Sequence, residues 1–243
     1  MSAPRYIVGK AGGILLICDH ASNAVPEGID LGIDHHLLDK HIAIDIGAGA
    51  LTEALAARLA APAVLATVSR LVIDLHRQPD HPELIPASSD GHVIPGNRAD
   101  QRAERIAHFH APYHRMLASV IRATRPSLLA SIHSFTPRLE QGCAPRPWEI
   151  GILSNRDRRA ADLAVALLRA AGLPTGDNEP YSGRMLNATL NRHGEAAGTP
   201  SIAIEVRNDL IGDDKGVARW TDILAPILET IRKSLARDTP LAT

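Results

Sequence analysis

Short apolar runs alternate with longer stretches of helical periodicity along most of this chain. The runs at 13–18, 127–133 and 201–206 are apolar on both faces, which is typical of strands buried inside a sheet. Between them lie stretches rich in Ala and Leu, such as 47–60 and 156–172, whose apolar residues recur at helical spacing. Strands that alternate with helices of this length predict an α/β protein with a largely parallel sheet.

Four further stretches extend this alternation. Residues 62–75 predict one or two strands, and residues 148–154 predict another. A long amphipathic helix is predicted over 99–124, with a kink at Pro112 because proline lacks the N–H that a helix interior needs. A last helix is predicted over 216–236.

Length and composition are those of a globular protein with a full core. The chain has 243 residues, 45% of them hydrophobic, and no composition break or internal repeat, so we expect a single domain over residues 1–243. With 26 basic and 27 acidic side chains the formal charge is −1, which leaves no positive field for nucleic acid.

Membrane and disulfide signals are weak. No run reaches the roughly 18 apolar residues that a membrane span needs, and the first ten residues lack the apolar core of a signal peptide. Two cysteines, Cys18 and Cys143, are too few for a disulfide framework. We therefore expect a cytoplasmic protein with no membrane partner, and we interpret Cys18 as a small core residue of its strand.

Polar residues follow three of the predicted strands at the point where each strand ends. These are DHASN at 19–23, HSF at 133–135 and EVRND at 205–209. Because the carboxyl ends of parallel strands meet at one edge, which is where ligands bind in open α/β sheets, we expect these clusters to lie together. Their shared position indicates a site better than any one residue does.

The residue types in these clusters suit a metal centre. A catalytic zinc needs about three N or O ligands, an open position for water and a nearby carboxylate to take the proton of the water. His20 and His133 can supply imidazoles, and Asp45 or Asp19 can supply a carboxylate. The sequence therefore predicts a divalent metal site at the sheet edge.

Two acids in apolar surroundings need partners. Asp45 lies in an apolar stretch where an unpaired carboxylate is costly, so its partner is a metal, an Arg or the N-terminus of the following helix. Glu205 is either paired with Arg207 or placed to activate water. Arg70 and Arg77 either bind a substrate carboxylate or pair with nearby aspartates.

Common catalytic motifs are missing from the sequence. It contains no G-x-S-x-G elbow, no Walker loop, no H-E-x-x-H helix and no G-x-G-x-x-G after a strand. These absences argue against the usual serine hydrolase, nucleotide-binding and dehydrogenase classes.

Nine motifs in order along the chain carry a family resemblance. They are DHASN at 19–23, HIAIDIGAGAL at 41–51, SRLVIDLHR at 69–77, IPGNR at 94–98, SIHSFTP at 131–137, IGILSNRD at 150–157, GDNEPYSG at 176–183, LNRHGEAAG at 190–198 and AIEVRNDLI at 203–211. Through them the sequence resembles the N-formylglutamate amidohydrolases, a hydrolase group linked to histidine degradation. The resemblance implies a three-layer α/β/α sandwich with a mixed, largely parallel sheet, phosphorylase/hydrolase-like and related to the zinc carboxypeptidases.

The resemblance also implies roles for individual residues. It makes His20, Asp45 and His133 the ligands of a divalent metal, with zinc the expected ion, and it makes Glu205 the general base and Arg70 a second catalytic residue. The residues that it implies for substrate binding are Arg77, Asn97, Arg98 and Arg184.

The expected substrate is a small N-acyl amino acid, foremost N-formyl-L-glutamate, which would be hydrolysed to formate and glutamate. The chain departs from its relatives at Asn23, where related zinc deacylases have Glu, and at His76, where many family members have Asn. Two alternatives stay open: hydrolysis of a different N-acyl amino acid or small amide, and a binding protein that kept the fold without the chemistry.

Overall fold

The computed structural model describes residues 3–142 and 144–237. In these residues seven strands form one mixed sheet, and two short strands form a separate hairpin. In chain order the strands are Arg5–Ile7 (β1), Ile14–Cys18 (β2), Ala63–Leu65 (β3), Ser88–Ser89 (β4), His92–Val93 (β5), Leu128–Phe135 (β6), Ile150–Leu153 (β7), Thr175–Asp177 (β8) and Ser201–Arg207 (β9). The order in the sheet is β1-β3-β2-β6-β9-β7-β8, and β4 pairs with β5.

The four central strands β3, β2, β6 and β9 run parallel to one another, whereas β1 and β7 are antiparallel to their neighbours β3 and β9. The carboxyl ends of β2, β6 and β9 therefore lie at the same edge, which we call the carboxyl edge of the sheet. β8 is parallel to β7.

Helices and turns connect these strands. The α-helices are Ala48–Leu59 (α1), Arg102–Arg105 (α2), Ala111–Thr124 (α3), Arg159–Ala170 (α4), Ala188–His193 (α5) and Asp214–Arg237 (α6), and a π-helical turn, Ile106–His110, joins α2 to α3. Short 3-10 turns lie at His35–Asp39, Pro82–Leu84, Ala99–Gln101, Glu195–Ala197 and Asn208–Leu210.

Two apolar layers cover the two faces of the sheet. On one face Ile14, Leu16 and Cys18 of β2 belong to the core that α1, α4 and α6 complete. On the other face Leu15 and Ile17 belong to a second core with α3 and the segments before and after β3. Since alternate residues of a strand point to opposite faces, a run apolar at every position needs both layers. The predicted three-layer α/β/α sandwich is confirmed.

Most predicted elements are present. The stretch 62–75, predicted as one or two strands, supplies one, Ala63–Leu65. Residues 66–77 continue as turns outside the sheet. The predicted strand over 148–154 is antiparallel to β9.

The long predicted helix is interrupted just before its proline. Residues 102–124 are helical throughout, but the π turn Ile106–His110 inserts an extra residue in front of Pro112, which lies in the first turn of α3. Proline has no N–H to donate to the carbonyl four residues earlier, so the preceding turn is free to widen. The distortion is thus a π turn instead of a kink at Pro112.

Within the described residues, no helix combines the length and apolarity that crossing a bilayer requires. Cys18 is fully buried in β2, as expected of a core residue, and Cys143 lies outside the described residues.

Gly47 should tolerate alanine less well than Gly172. Both glycines have a left-handed backbone, with φ of 79° and 78°, so alanine costs about 1–2 kcal/mol at either position. A Cβ at Gly47 would also overlap the carbonyl oxygen of Ile211, whereas a Cβ at Gly172 would meet no atom within 4 Å. We expect Gly47→Ala to lower the free energy of unfolding by about 1–3 kcal/mol more than Gly172→Ala, measured by urea denaturation. Equal losses would contradict the close contact at Gly47.

Candidate active site

Three predicted site residues meet at the carboxyl edge of the sheet. His20 lies two residues beyond the end of β2, His133 lies in β6 and Glu205 lies in β9. His133 and Glu205 are direct partners in the parallel β6–β9 register. All three side chains are buried and line one cavity of about 470 Å³.

Asp45 joins the two imidazoles. Its Oδ2 atom lies 3.2 Å from Nδ1 of His20 and 2.8 Å from Nδ1 of His133. Burial disfavours the charged carboxylate, but the positive side chains of His20, His133 and Arg70 hold the pKa of Asp45 well below its usual range. The helix-cap alternative for Asp45 does not apply, because the cap residue of α1 is Gly47 and makes no side-chain cap.

Arg70 ties Asp45 to a second carboxylate, Asp74. The guanidinium donates from Nη1 to Asp45 over 3.2 Å and from Nη2 to Asp74 over 2.8 Å. Asp74 in turn lies 2.8 Å from Nε2 of His20, so this imidazole is held at both nitrogens. Arg77 is 3.8 Å from Asp74 and donates to the exposed Glu83 over 3.2 Å. Both arginines line the cavity.

Asp19 lies outside the cavity lining and contacts two histidines that line the cavity. Its carboxylate accepts a hydrogen bond from the hydroxyl of Tyr113 over 2.7 Å and lies 2.8 Å from Nδ1 of His76 and 3.6 Å from Nε2 of His133. The hydroxyl oxygen of Ser131 lies 2.9 Å from the same His133 nitrogen. Asp19 does not line the cavity, so it orients imidazoles from behind.

Glu205 carries an unpartnered oxygen. Its Oε2 atom is buried and has no hydrogen-bond partner among the described residues. The predicted alternative partner, Arg207, instead forms an ion pair with Asp209 over 2.8 Å. Burial raises the pKa of Glu205 to about 7. A buried carboxyl group with a free oxygen facing a cavity is suited to exchange protons with a substrate or a water.

The donor atoms around Asp45 fit a divalent metal. One ligand atom from each of His20, Asp45 and His133 lies within 4.8 Å of the others, and so does a second group formed by Asp19, His76 and His133. A catalytic ion needs an open position, and only the first group lines the cavity with all its members. In that group both imidazoles turn Nδ1 towards Asp45, while Nε2 is held by Asp74 or Ser131. Such support behind an imidazole is typical of metal-binding histidines.

A rim of polar contacts bounds the mouth of the cavity. Asp90, in the β4–β5 hairpin, lies 3.0 Å from Nε2 of His41 and accepts the backbone N–H groups of Glu140 and Gln141 over 2.8 and 3.2 Å. These contacts join three loops that are far apart in sequence. His41, Asp90 and Gln141 all line the cavity.

Three residues predicted to bind substrate lie outside the cavity lining. Asn97 donates to the carbonyls of Leu71 and Pro86, each over 2.8 Å. Arg98 pairs with Asp100 on the surface, and Arg184 is exposed.

Two residues that sequence reasoning did not assign to the site, Asp74 and His76, belong to its wall. Asp74 had the same signal as Asp45, an acid inside an apolar run that must find a partner. The position of His76 was visible only as a departure from the related sequences.

The fold and the site together define an α/β/α enzyme with a buried acid–histidine centre at its carboxyl edge. The sequence model of the N-formylglutamate amidohydrolases matches residues 12–212. The chain belongs to the N-formylglutamate amidohydrolase family, as the motifs predicted, and it is therefore an amidohydrolase.

Solved structures share this fold. A gene product of Agrobacterium tumefaciens is 31% identical, with a TM-score of 0.91 and coverage of 97% of each chain. An N-formylglutamate amidohydrolase from Ralstonia eutropha is 20% identical, with a TM-score of 0.76 over 98% of this chain and 100% of that one, which supports the fold alone. No curated protein sequence matches the chain.

Two histidines behind the site should make stability depend on pH. Nδ1 of His114 lies 2.9 Å from Nε2 of His193, and burial lowers the pKa of His114 to about 3 and that of His193 to about 4. The unfolded chain protonates them near pH 6.5. The unfolded state therefore binds more protons below that pH, so their contribution to stability is complete above pH 6.5 and falls between pH 6.5 and about 3.

We expect the double variant His114→Gln, His193→Gln to show a shallower fall in the free energy of unfolding over this window than the wild type, measured by urea denaturation at several pH values. His108→Gln, which removes an exposed histidine of the same helical run, serves as the control. An unchanged slope in the double variant would contradict the assignment.

Proposed function

We propose that this protein hydrolyses N-formyl-L-glutamate to formate and L-glutamate with the help of a divalent metal. The observation that carries the proposal is the unpartnered Oε2 of Glu205 beside the His20–Asp45–His133 group, in one cavity. Two imidazoles and a carboxylate suit zinc. Bound there, the ion would polarise the formyl carbonyl and a water as a Lewis acid.

The charge of the cavity wall supports the metal requirement. Four carboxyl groups, those of Asp45, Asp74, Asp90 and Glu205, line the cavity together with the two guanidiniums of Arg70 and Arg77. With the imidazoles of His20 and His133 neutral, as metal ligands are, a dicarboxylate substrate would meet net negative charge there, and a divalent cation would compensate it. The residues that would hold this cation are His20, Asp45 and His133.

Glu205 is the proposed general base. Water adds its oxygen to the formyl carbon, and Glu205 accepts the proton that the water loses. The C–N bond then breaks, and Glu205 passes the proton to the nitrogen of the leaving glutamate. The unpartnered Oε2 can accept this proton without losing a hydrogen bond within the described structure.

The arginines are the proposed anion-binding groups. Arg70 uses two of its donors on Asp45 and Asp74, so it is fixed in orientation and keeps other N–H groups for the cavity. We propose that it steadies the charge that develops on the carbonyl oxygen. Arg77, whose hydrogen-bonded partner Glu83 is exposed, is the better candidate for a substrate carboxylate.

Release of the free amino acid or amine from a panel of N-formyl amino acids, other N-acyl amino acids and small amides tests the function. We expect turnover of N-formylglutamate to disappear after exhaustive chelation and to return with zinc. Turnover that survives chelation would contradict the metal requirement. Faster turnover of another N-acyl amino acid or small amide would identify a different substrate, and no turnover of any panel member by the metal-loaded protein would favour a binding protein.

Glu205→Gln should separate catalysis from folding. Glutamine keeps the volume and an acceptor oxygen but cannot take a proton, so we expect turnover per folded, metal-loaded molecule to fall by about 10²–10⁴. His133→Ala is the matched comparison, because it should lose the metal itself. Metal content and melting temperature are recorded for both. Near-normal turnover in folded, metal-loaded Glu205→Gln would rule out the proposed base.

Arg77→Ala should weaken recognition of anionic substrate. We expect kcat/KM for N-formylglutamate to fall by about 30- to 1,000-fold, since about 2–4 kcal/mol is typical when one partner of a buried charge pair is removed. Arg115→Ala, at an exposed arginine of α3, is the control. A change below about threefold in Arg77→Ala would mean that this arginine only supports Asp74.

A further inference from the structure

The segment 66–77 carries much of the site although it lies outside the sheet. Arg70, Asp74, His76 and Arg77 of this segment all line the cavity. Its backbone follows turns, so it has no neighbouring strand to bond its carbonyl groups. Backbone N–H groups of the segment itself satisfy the carbonyls of Ser69 and Asp74, and the N–H groups of Arg70 and Asp74 donate to the carbonyls of Ala43 and Leu84. The remaining buried carbonyls of the segment need donors from elsewhere.

Four side chains donate to the carbonyls of this segment. Asn97 donates to Leu71 over 2.8 Å, Arg105 to Val72 over 2.7 Å, His114 to Leu75 over 3.0 Å and His110 to Arg77 over 3.0 Å. We call these four residues, Asn97, Arg105, His110 and His114, the donor ladder. The two histidines bond the carbonyls on either side of His76, and the backbone N–H of His76 donates to Asp74.

The π turn brings three ladder residues into register. Arg105, His110 and His114 lie on one helical run at spacings of five and four residues. In a regular α-helix a spacing of five is about 140° away from a common face, because each residue turns by about 100°. The extra residue in the π turn Ile106–His110 places two residues that are five apart on the same helix face, where residues four apart would lie in a regular α-helix.

The ladder includes costly groups that core packing alone does not require. Arg105 is buried, and within the described part of the chain its acceptors are all uncharged: the carbonyl of Val72, the side-chain oxygen of Asn97 over 2.6 Å and that of Gln101 over 2.9 Å. Burying a guanidinium without a carboxylate is unfavourable. His114 and His110 are also buried, on a helix face where apolar residues would pack more cheaply.

We propose that the donor ladder positions the segment 66–77, and through it the metal-binding and anion-binding groups of the active site. The inference rests on the proposed function. Asp74 holds Nε2 of His20, and Arg77 is the proposed carboxylate anchor. A shift of the backbone at 74–77 would therefore misorient one metal ligand and one substrate-binding group at once. The ladder residues are positioning residues, since none of them lines the cavity.

Single variants of the two histidines test this role. His110→Leu and His114→Leu remove the donor, whereas His110→Gln and His114→Gln keep an N–H near the position of Nε2. Val120→Ala, at a buried apolar position of α3 with no hydrogen bond to the segment, is the control for lost stability.

Four quantities are measured: the dissociation constant for zinc by chelator competition, KM and kcat for N-formylglutamate, and amide exchange at 70–77. In the Leu variants we expect the zinc dissociation constant to rise about 10- to 100-fold, as when support behind a metal ligand is lost. KM should rise about tenfold and exchange should quicken. The Gln variants should stay within about threefold of the wild type.

The proposal is overturned if folded Leu variants keep wild-type zinc affinity and KM, or if Val120→Ala changes both equally. If the wild type itself binds no zinc, the proposed function fails, and amide exchange alone judges the ladder. Faster exchange at 70–77 in the Leu variants that the Gln variants reverse supports the ladder, and unchanged exchange overturns it.

Discussion

The carboxylate of Asp45 is the contact on which the arrangement of the site depends. It is buried, and its two oxygens meet two imidazoles and one guanidinium that come from three separate parts of the chain. Burying a charged group is costly unless the group is well paired. The buried carboxylate of Asp45 therefore requires His20, His133 and Arg70 beside it. The sheet brings the first two together, because β2 and β6 are parallel neighbours. Arg70 comes from outside the sheet, because it lies in the turns at 66–77.

The residues that converge on Asp45 fall into two groups, one held by the sheet and one held by contacts from outside the sheet. His133 lies in a strand that is buried on both faces, and His20 follows two residues after such a strand. The segment that carries Arg70, Asp74 and Arg77 is held instead by backbone bonds to neighbouring loops and by the side chains of the donor ladder. A polar helix face behind an active site is expensive to bury, and here it is explained by the carbonyl groups that it satisfies.

The sequence predicted the sheet and the strand-end residues because those signals are local. A strand apolar at every position, followed at once by His or Glu, can be recognised without knowing the partner strands. The motifs supplied Arg70 and Arg77 as well. Asn97 illustrates what local signals miss: a polar residue in a family motif was interpreted as substrate-binding, whereas its amide bonds the carbonyls of Leu71 and Pro86. The roles of Asp74 and His114 depend on contacts between distant segments, and a π turn leaves no clear periodicity to detect.

The register of β6 and β9 separates the part of the site that the sheet holds from the rim that loops build. His133 and Glu205 face each other across adjacent strands, so their spacing follows the fixed repeat of a hydrogen-bonded sheet, about 4.8 Å between strands. No loop motion can lengthen it. The rim around Asp90, in contrast, is built from loops, which tolerate insertion and exchange. In descendants of this chain the rim can therefore be remodelled, while the spacing of His133 and Glu205 is inherited unchanged.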